Sequence, residues 1–194
     1  ERVLATSYGV ARGTVREAFN QLADDGLVEI RPSSGTYVLV NTFNSANPVI
    51  ENANPLELID TRFALEPHIC RLAVLHARPA DLDRADELLA KMDNCVNDLE
   101  GFSVADTAFH TLLAKTTGNQ LLIWIVEQIN GVRNQEQWAR MRRMTLTKKT
   151  ISQYNLHHRQ IIDAIRARKP EQAATAMQDH LESARLSLTR VAST

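Results

Sequence analysis

The chain has 194 residues, 44% of them hydrophobic, enough to bury a core in one large or two small domains. Its 22 basic and 23 acidic residues leave a net charge of −1, which excludes a protein held to nucleic acid by overall charge. Cys70 and Cys95 are too few for a disulfide framework, and no signal peptide or apolar run of membrane length occurs, so a soluble, cytoplasmic protein without a membrane partner is expected.

Leu4, Ala5 and Tyr8 share one face of a short helix, and Gly9 supplies the sharp turn of a helix-turn-helix. Val15, Ala18, Phe19 and Leu22 then recur at helical spacing between about Ala11 and Asp25. Arg12, Arg16 and Asn20 follow one another at i, i+4 and i+8 on another face, with Thr14 beside them. Gly26 stands where a left-handed C-cap is wanted. Leu27–Arg31 and Thr36–Val40 read as two short strands joined through Pro32, Ser33, Ser34 and Gly35. A helix with arginines on its free face, followed at once by a hairpin, is expected to read DNA. Residues 1–40 hold four arginines against five acids, so recognition rests on a few placed side chains.

Asn41 to Asn54 carries five asparagines and a proline, favours neither helix nor strand, and reads as a linker. From residue 55 to the end at residue 194 the pattern is helical throughout. Helices are expected from Pro55 to near Arg78, from Pro79 through Met92, over Phe102–Thr117, from Gln120 to about Arg143 with a kink at Gly131, from about Ile151 to Arg168, and from Pro170 to about Val191. The expected fold is therefore mainly α: a winged helix-turn-helix over residues 1–40, a linker over 41–54 and an all-α six-helix bundle over 55–194.

The bundle carries a second pattern. Asp106 and His110 lie four apart on a helix face that Phe102, Phe109 and Leu113 mark as inward. His158 falls on the stripe of Tyr154, Ile161, Ile162 and Ile165, whereas His157 is rotated off it. His180 shares a stripe with Met177, Leu181 and Ala184. Buried histidines and carboxylates need partners. Three imidazoles and one carboxylate converging from three helices suit a divalent transition metal, with zinc first and nickel or manganese also open. His68, His76 and His157 read as solvent-facing or structural.

Two resemblances follow. The segments Glu1–Ala5, Gly9–Ala18, Gly26–Val28 and Ser34–Val38 resemble the winged helix of the GntR family of bacterial repressors. That resemblance implies DNA contacts by Arg2, Arg12, Thr14 and Arg16, with Gly35 at the wing tip. It also implies one more helix upstream of Glu1, missing from this chain. Residues 55–190 resemble the FCD-type effector domain of the FadR-like branch, through Arg62–Pro67, Asp106–His110, Gly118-Asn119, His158-Arg159 and His180-Leu181. In metal-containing members this pattern implies Asp106, His110, His158 and His180 as ligands, with a small organic-acid effector beside the metal. Arg62 is implied as a contact of the effector carboxylate; the alternative is a helix-surface salt bridge to Glu66. The expected function is a ligand-responsive repressor that binds operator DNA as a homodimer. The competing readings are a metal-dependent hydrolase using Glu66 or Glu127 as base, and a ligand sensor that does not bind DNA.

Overall fold

The computed structural model describes residues 1–32, 34–39 and 48–192. The chain divides into two compact units between Asn47 and Pro48.

The first unit is a helix-turn-helix followed by a hairpin. Helix α1 (Arg2–Tyr8) ends at Gly9, whose φ of 65° is the left-handed conformation that a residue without Cβ adopts at least cost. Helix α2 (Arg12–Asp24) closes in the same way at Gly26, φ 69°, where the Leu27 amide donates back to the Leu22 carbonyl over 2.8 Å. Strands β1 (Val28–Arg31) and β2 (Gly35–Val38) pair antiparallel, with Val28 opposite Val38 and Arg31 opposite Gly35. Ser33 and Val40, which the sequence places in the turn and the second strand, lie outside the described residues. Ala5 and Val28 are buried; Val15, Phe19 and Leu22 are half-buried, and Ala18, expected on the same stripe, is exposed.

The second unit is helical. Its first element, α3 (Pro48–Asn52), corrects the reading of Asn41–Asn54 as continuous linker. Ile50 gives this short helix something to bury: it lies against Gly131, where an added Cβ would sit 2.9 Å from Ile50 Cγ2, and the Gln135 side chain donates to the Ile50 carbonyl. Residues 41–47 of that segment lie outside the description. Asn54 then caps α4 (Pro55–His76), accepting from the amides of Leu56 and Glu57 while Glu57 reaches back to the Asn54 amide. The bundle continues with α5 (Pro79–Asn94), α6 (Leu99–Thr116), α7 (Gln120–Asn130), α8 (Glu136–Thr145), α9 (Lys148–Arg166) and α10 (Pro170–Ala192).

From Pro55 onward there are thus seven α-helices among the described residues, one more than expected. The extra one arises because Gln120–Arg143 is not a single helix. A 3₁₀ turn at Gly131–Asn134 and an extended Gln135, φ −79° and ψ 146°, break it in two. Glycine is a poor helix former, and here the space a side chain would need is taken by Ile50. Helix α10 packs along α4 and α9, and α5 packs against α6 and α9, around a core that includes Ile59, Ile69, Phe102, Phe109, Ile161 and Met177. Among the described residues no helix is long and apolar enough to cross a membrane.

Candidate metal centre

Helices α6, α9 and α10 each send polar side chains into this core. Asp106 and His110 come from α6, one turn apart; His158 comes from α9 and His180 from α10. All four are at most 2% exposed, and one ligand atom from each lies within 4.8 Å of the others. Asp106 Oδ1 stands 3.4 Å from His158 Nε2 and 3.7 Å from His110 Nε2. The His158 and His180 rings are 4.4 Å apart between centroids. Neither Asp106 Oδ1, nor either ring nitrogen of His158, nor His180 Nδ1 has a hydrogen-bond partner. Leaving such groups buried and unpaired is costly, so this donor set fits a divalent cation that all four could share.

The electrostatics agree. Burial pushes His158 down to about 3, and burial together with His158 and His110 holds His180 well below its ordinary value, so both rings are neutral and able to donate lone pairs. Burial pulls the Asp106 carboxyl upward, but His110, Arg133 and Arg142 outweigh it and hold that group well below the carboxylate range. Asp106 is therefore an anion.

Around these four lies a layer of charged groups. Glu66 of α4 accepts from Arg62 Nε at 2.7 Å and Nη2 at 3.2 Å, and its Oε2 stands 2.8 Å from His110 Nδ1. A carboxylate on the far side of a ring orients it as a ligand. Arg62 Nη2 also reaches His110 Nε2 at 2.8 Å. Arg62 and Glu66 are each 3% exposed, which corrects the helix-surface alternative: the pair is buried, on the same stripe of α4 as Ile59 and Ile69. Glu127, by contrast, is an exposed partner of Lys115 at 3.3 Å and is no base for a buried centre. His68 and His76 are exposed. His157 is half-buried, its ring 6.1 Å from that of His180 but outside the convergent set.

Sequence reasoning missed two residues here. Arg133, in the 3₁₀ turn, donates through Nη1 to Asp106 Oδ2 and Thr107 Oγ1, both at 2.8 Å. Arg142 of α8 brings Nη2 to 3.7 Å from the same Asp106 oxygen. The i, i+4 pair Trp138 and Arg142 was the available signal, since an aromatic and an arginine one turn apart share a face.

In the first unit Arg2, Arg12, Thr14 and Arg16 are all exposed. Arg12 and Arg16 lie 3.8 and 3.9 Å from the Glu1 carboxylate, and Gly35 opens β2 with φ 134°.

Residues 57–183 match the FCD domain, and residues 1–38 match the gntR family of bacterial regulatory proteins. The chain belongs to the GntR family. Its GntR relatives include the HTH-type transcriptional regulator LutR of Bacillus subtilis, 32% identical over 93% of this chain and 85% of LutR. The Uxu operon regulator of Haemophilus influenzae is 29% identical over 97% of this chain and 72% of its own length. Among solved structures, Streptococcus agalactiae GntR superposes with a TM-score of 0.64 at 28% identity, covering 96% of this chain and 87% of that one. This GntR protein is accordingly a DNA-binding transcriptional regulator with an FCD domain, and not an enzyme.

Proposed function

We propose that this protein is a repressor whose operator affinity is set by a small organic acid bound at a metal in the FCD domain. The observation that carries the reading is the convergence of Asp106, His110, His158 and His180 in a buried core where Asp106 Oδ1, both ring nitrogens of His158 and His180 Nδ1 are unpaired. These four residues would hold the metal, zinc first by donor type, and nickel or manganese by the same ligands. Once bound, the metal supplies positive charge and Lewis acidity to the site. Glu66 Oε2, 2.8 Å from His110 Nδ1, would orient that ring as a ligand. Arg62, whose Nη2 engages His110 Nε2, would be free to turn to an oxygen of the acid were His110 to hold the metal.

On the DNA side, the exposed Arg12, Thr14 and Arg16 of α2 would face the operator, with Arg2 and the wing at Gly35 adding contacts. A homodimer reading two related half-sites fits the helix-turn-helix. An acid changes operator affinity only through a difference in its own affinity for the DNA-competent and incompetent arrangements. The decisive experiment measures metal content of the purified protein and operator affinity with and without lactate, gluconate and malate. About one metal per chain and an acid-dependent operator affinity are expected. Metal-free protein that cannot be reconstituted, or operator affinity indifferent to every acid, would reject the reading.

A further inference from the structure

Between α6 and α8 a pocket of about 630 Å³ opens to solvent past Glu100, Val104 and Arg143, which are exposed. Its inner wall is Arg133, Trp138 and Arg142. Trp138 and Arg142 also line a second space, on the side of Asp106, Tyr154 and His180, which has room for about one water at 10 Å³. The two side chains therefore stand as a partition between solvent and the candidate metal centre.

The guanidiniums in this wall are unusual. The side chains of Arg133 and Arg142 are only 6% and 10% exposed, yet Nε and Nη2 of both lack a hydrogen-bond partner. Arginines this buried are normally satisfied on every edge. Both sit against the Trp138 ring, with the guanidinium carbons 5.7 and 5.6 Å from its centre, so neither can swing to solvent without leaving that face. The local charge is unbalanced as well. Counting imidazoles as uncharged, Arg62, Arg133 and Arg142 face only Glu66 and Asp106 among the described residues, and a divalent cation would add to the excess.

We propose that Arg133 and Arg142 clamp the carboxylate of a small organic acid that enters through the α6/α8 pocket, with Trp138 as the door to the metal side. This rests on the metal-and-acid reading above and adds to it the residues that choose an anion and the route it takes. A planar carboxylate matches the forked N–H donors of a guanidinium, and one anion can satisfy donors on both arginines. Arg62 is set apart from this clamp, since its Nε and Nη2 are engaged with Glu66 and His110, and it would reach the inner end of the acid only by releasing His110 Nε2.

The test uses the full chain, loaded with zinc, in a Trp124→Phe background that leaves Trp138 as the sole tryptophan. Lactate and gluconate are titrated by calorimetry and by Trp138 fluorescence, with glycerol as an uncharged control. Both acids, and not glycerol, are expected to bind and to move the Trp138 emission. Arg133→Gln and Arg142→Gln should each weaken acid binding about tenfold or more while zinc content stays at one per chain. Arg142→Lys, which keeps the charge and loses the fork, should fall between Arg142→Gln and the parent, and it stands in should the glutamine variant fail to fold. Variants that hold zinc and bind acid as tightly as the parent overturn the clamp, as does a zinc-loaded parent that binds neither acid. Failure of the metal reading appears separately, as absence of zinc in the parent.

Discussion

Arg62 Nη2 lies 2.8 Å from His110 Nε2, so a buried cation occupies the lone pair that a metal would use. The same guanidinium also neutralises Glu66, and that second role dominates stability. Arg62→Met should destabilise the chelator-treated protein by about 3–5 kcal/mol, because it leaves a buried carboxylate without its counter-charge. Replacing both partners, Arg62→Met with Glu66→Met, should recover most of the loss. Urea unfolding of the two variants decides it, and a single variant as stable as the parent would refute the burial argument.

For metal binding, His110→Ala, His158→Ala and His180→Ala are each expected to lose the bound ion, whereas His157→Ala keeps it. The adjacent pair makes the comparison sharp: His158 is fully buried against Asp106 and its neighbour is half-buried on another face of α9. Glu66→Gln should retain metal at an affinity lowered about 10–100-fold, since it orients His110 without being a ligand. Elemental analysis and zinc competition report both; a full metal equivalent in His158→Ala would move the centre.

Acid should destabilise the metal-free protein. His158 has its folded value near 3 against an ordinary 6.5, and His180 is shifted the same way, so the unfolded chain takes up protons that the folded chain refuses. Stability is then complete above about pH 6.5 and is lost as pH falls below it, for His158 down to about 3, at up to about 1.4 kcal/mol per pH unit for each ring. Denaturation midpoints of chelator-treated protein at pH 7.5, 6.5 and 5.5 should fall in that order. Midpoints that stay level would mean that these rings are not held neutral.

On the DNA side, Arg12→Ala and Arg16→Ala should each weaken operator binding by about 1–3 kcal/mol where the guanidinium reads a base edge, and should flatten the salt dependence where it meets phosphate. Fold stability should hardly change, because the exposed ion pairs of both with Glu1, at 3.8 and 3.9 Å, contribute little. Binding isotherms at two salt concentrations separate the cases; unchanged affinity in both variants would remove α2 from the interface.

How far the site could be read in advance depended on phase. Asp106 with His110, and His158 against His157, were legible because helices α6 and α9 are regular and their apolar stripes are unambiguous. Arg62 and Glu66 carried the same information, three residues on from Ile59 and three before Ile69, yet charge suggested surface where phase indicated core. Arg142 offered only its i, i+4 spacing from Trp138 and Arg133 offered nothing, for a different reason. Read as one helix, Gln120–Arg143 gives both arginines a false direction, and only the break at Gly131–Gln135 turns them toward Asp106. Gly131 is still helical and the chain leaves the helix at Gln135, whose side chain donates to the Ile50 carbonyl, a contact between residues 85 positions apart that no local pattern announces.

The contact of Ile50 with Gly131 makes a further variant informative. Gly131→Ala would press a methyl group to 2.9 Å from Ile50 Cγ2 and so displace α3 rather than the buried ligands. Acid affinity should stay within about twofold of the parent, while the acid's effect on operator affinity shrinks and, reciprocally, so does the operator's effect on acid affinity. Paired titrations with and without operator measure both; full coupling in this variant would show that α3 plays no part.

The turn Gly131–Asn134 thus belongs to two neighbourhoods at once, holding Asp106 through Arg133 on one side and the first helix after the division of the chain on the other. Trp138 and Arg142, which border the pocket, stand beyond the break on α8. The proposed acid clamp and the packing of α3 therefore share one short turn, in which Arg133 and Gly131 lie two residues apart. A substitution in Gly131–Asn134 would be felt on both sides of the turn, whereas Trp138 and Arg142 can be exchanged on α8 without touching the contact at Ile50.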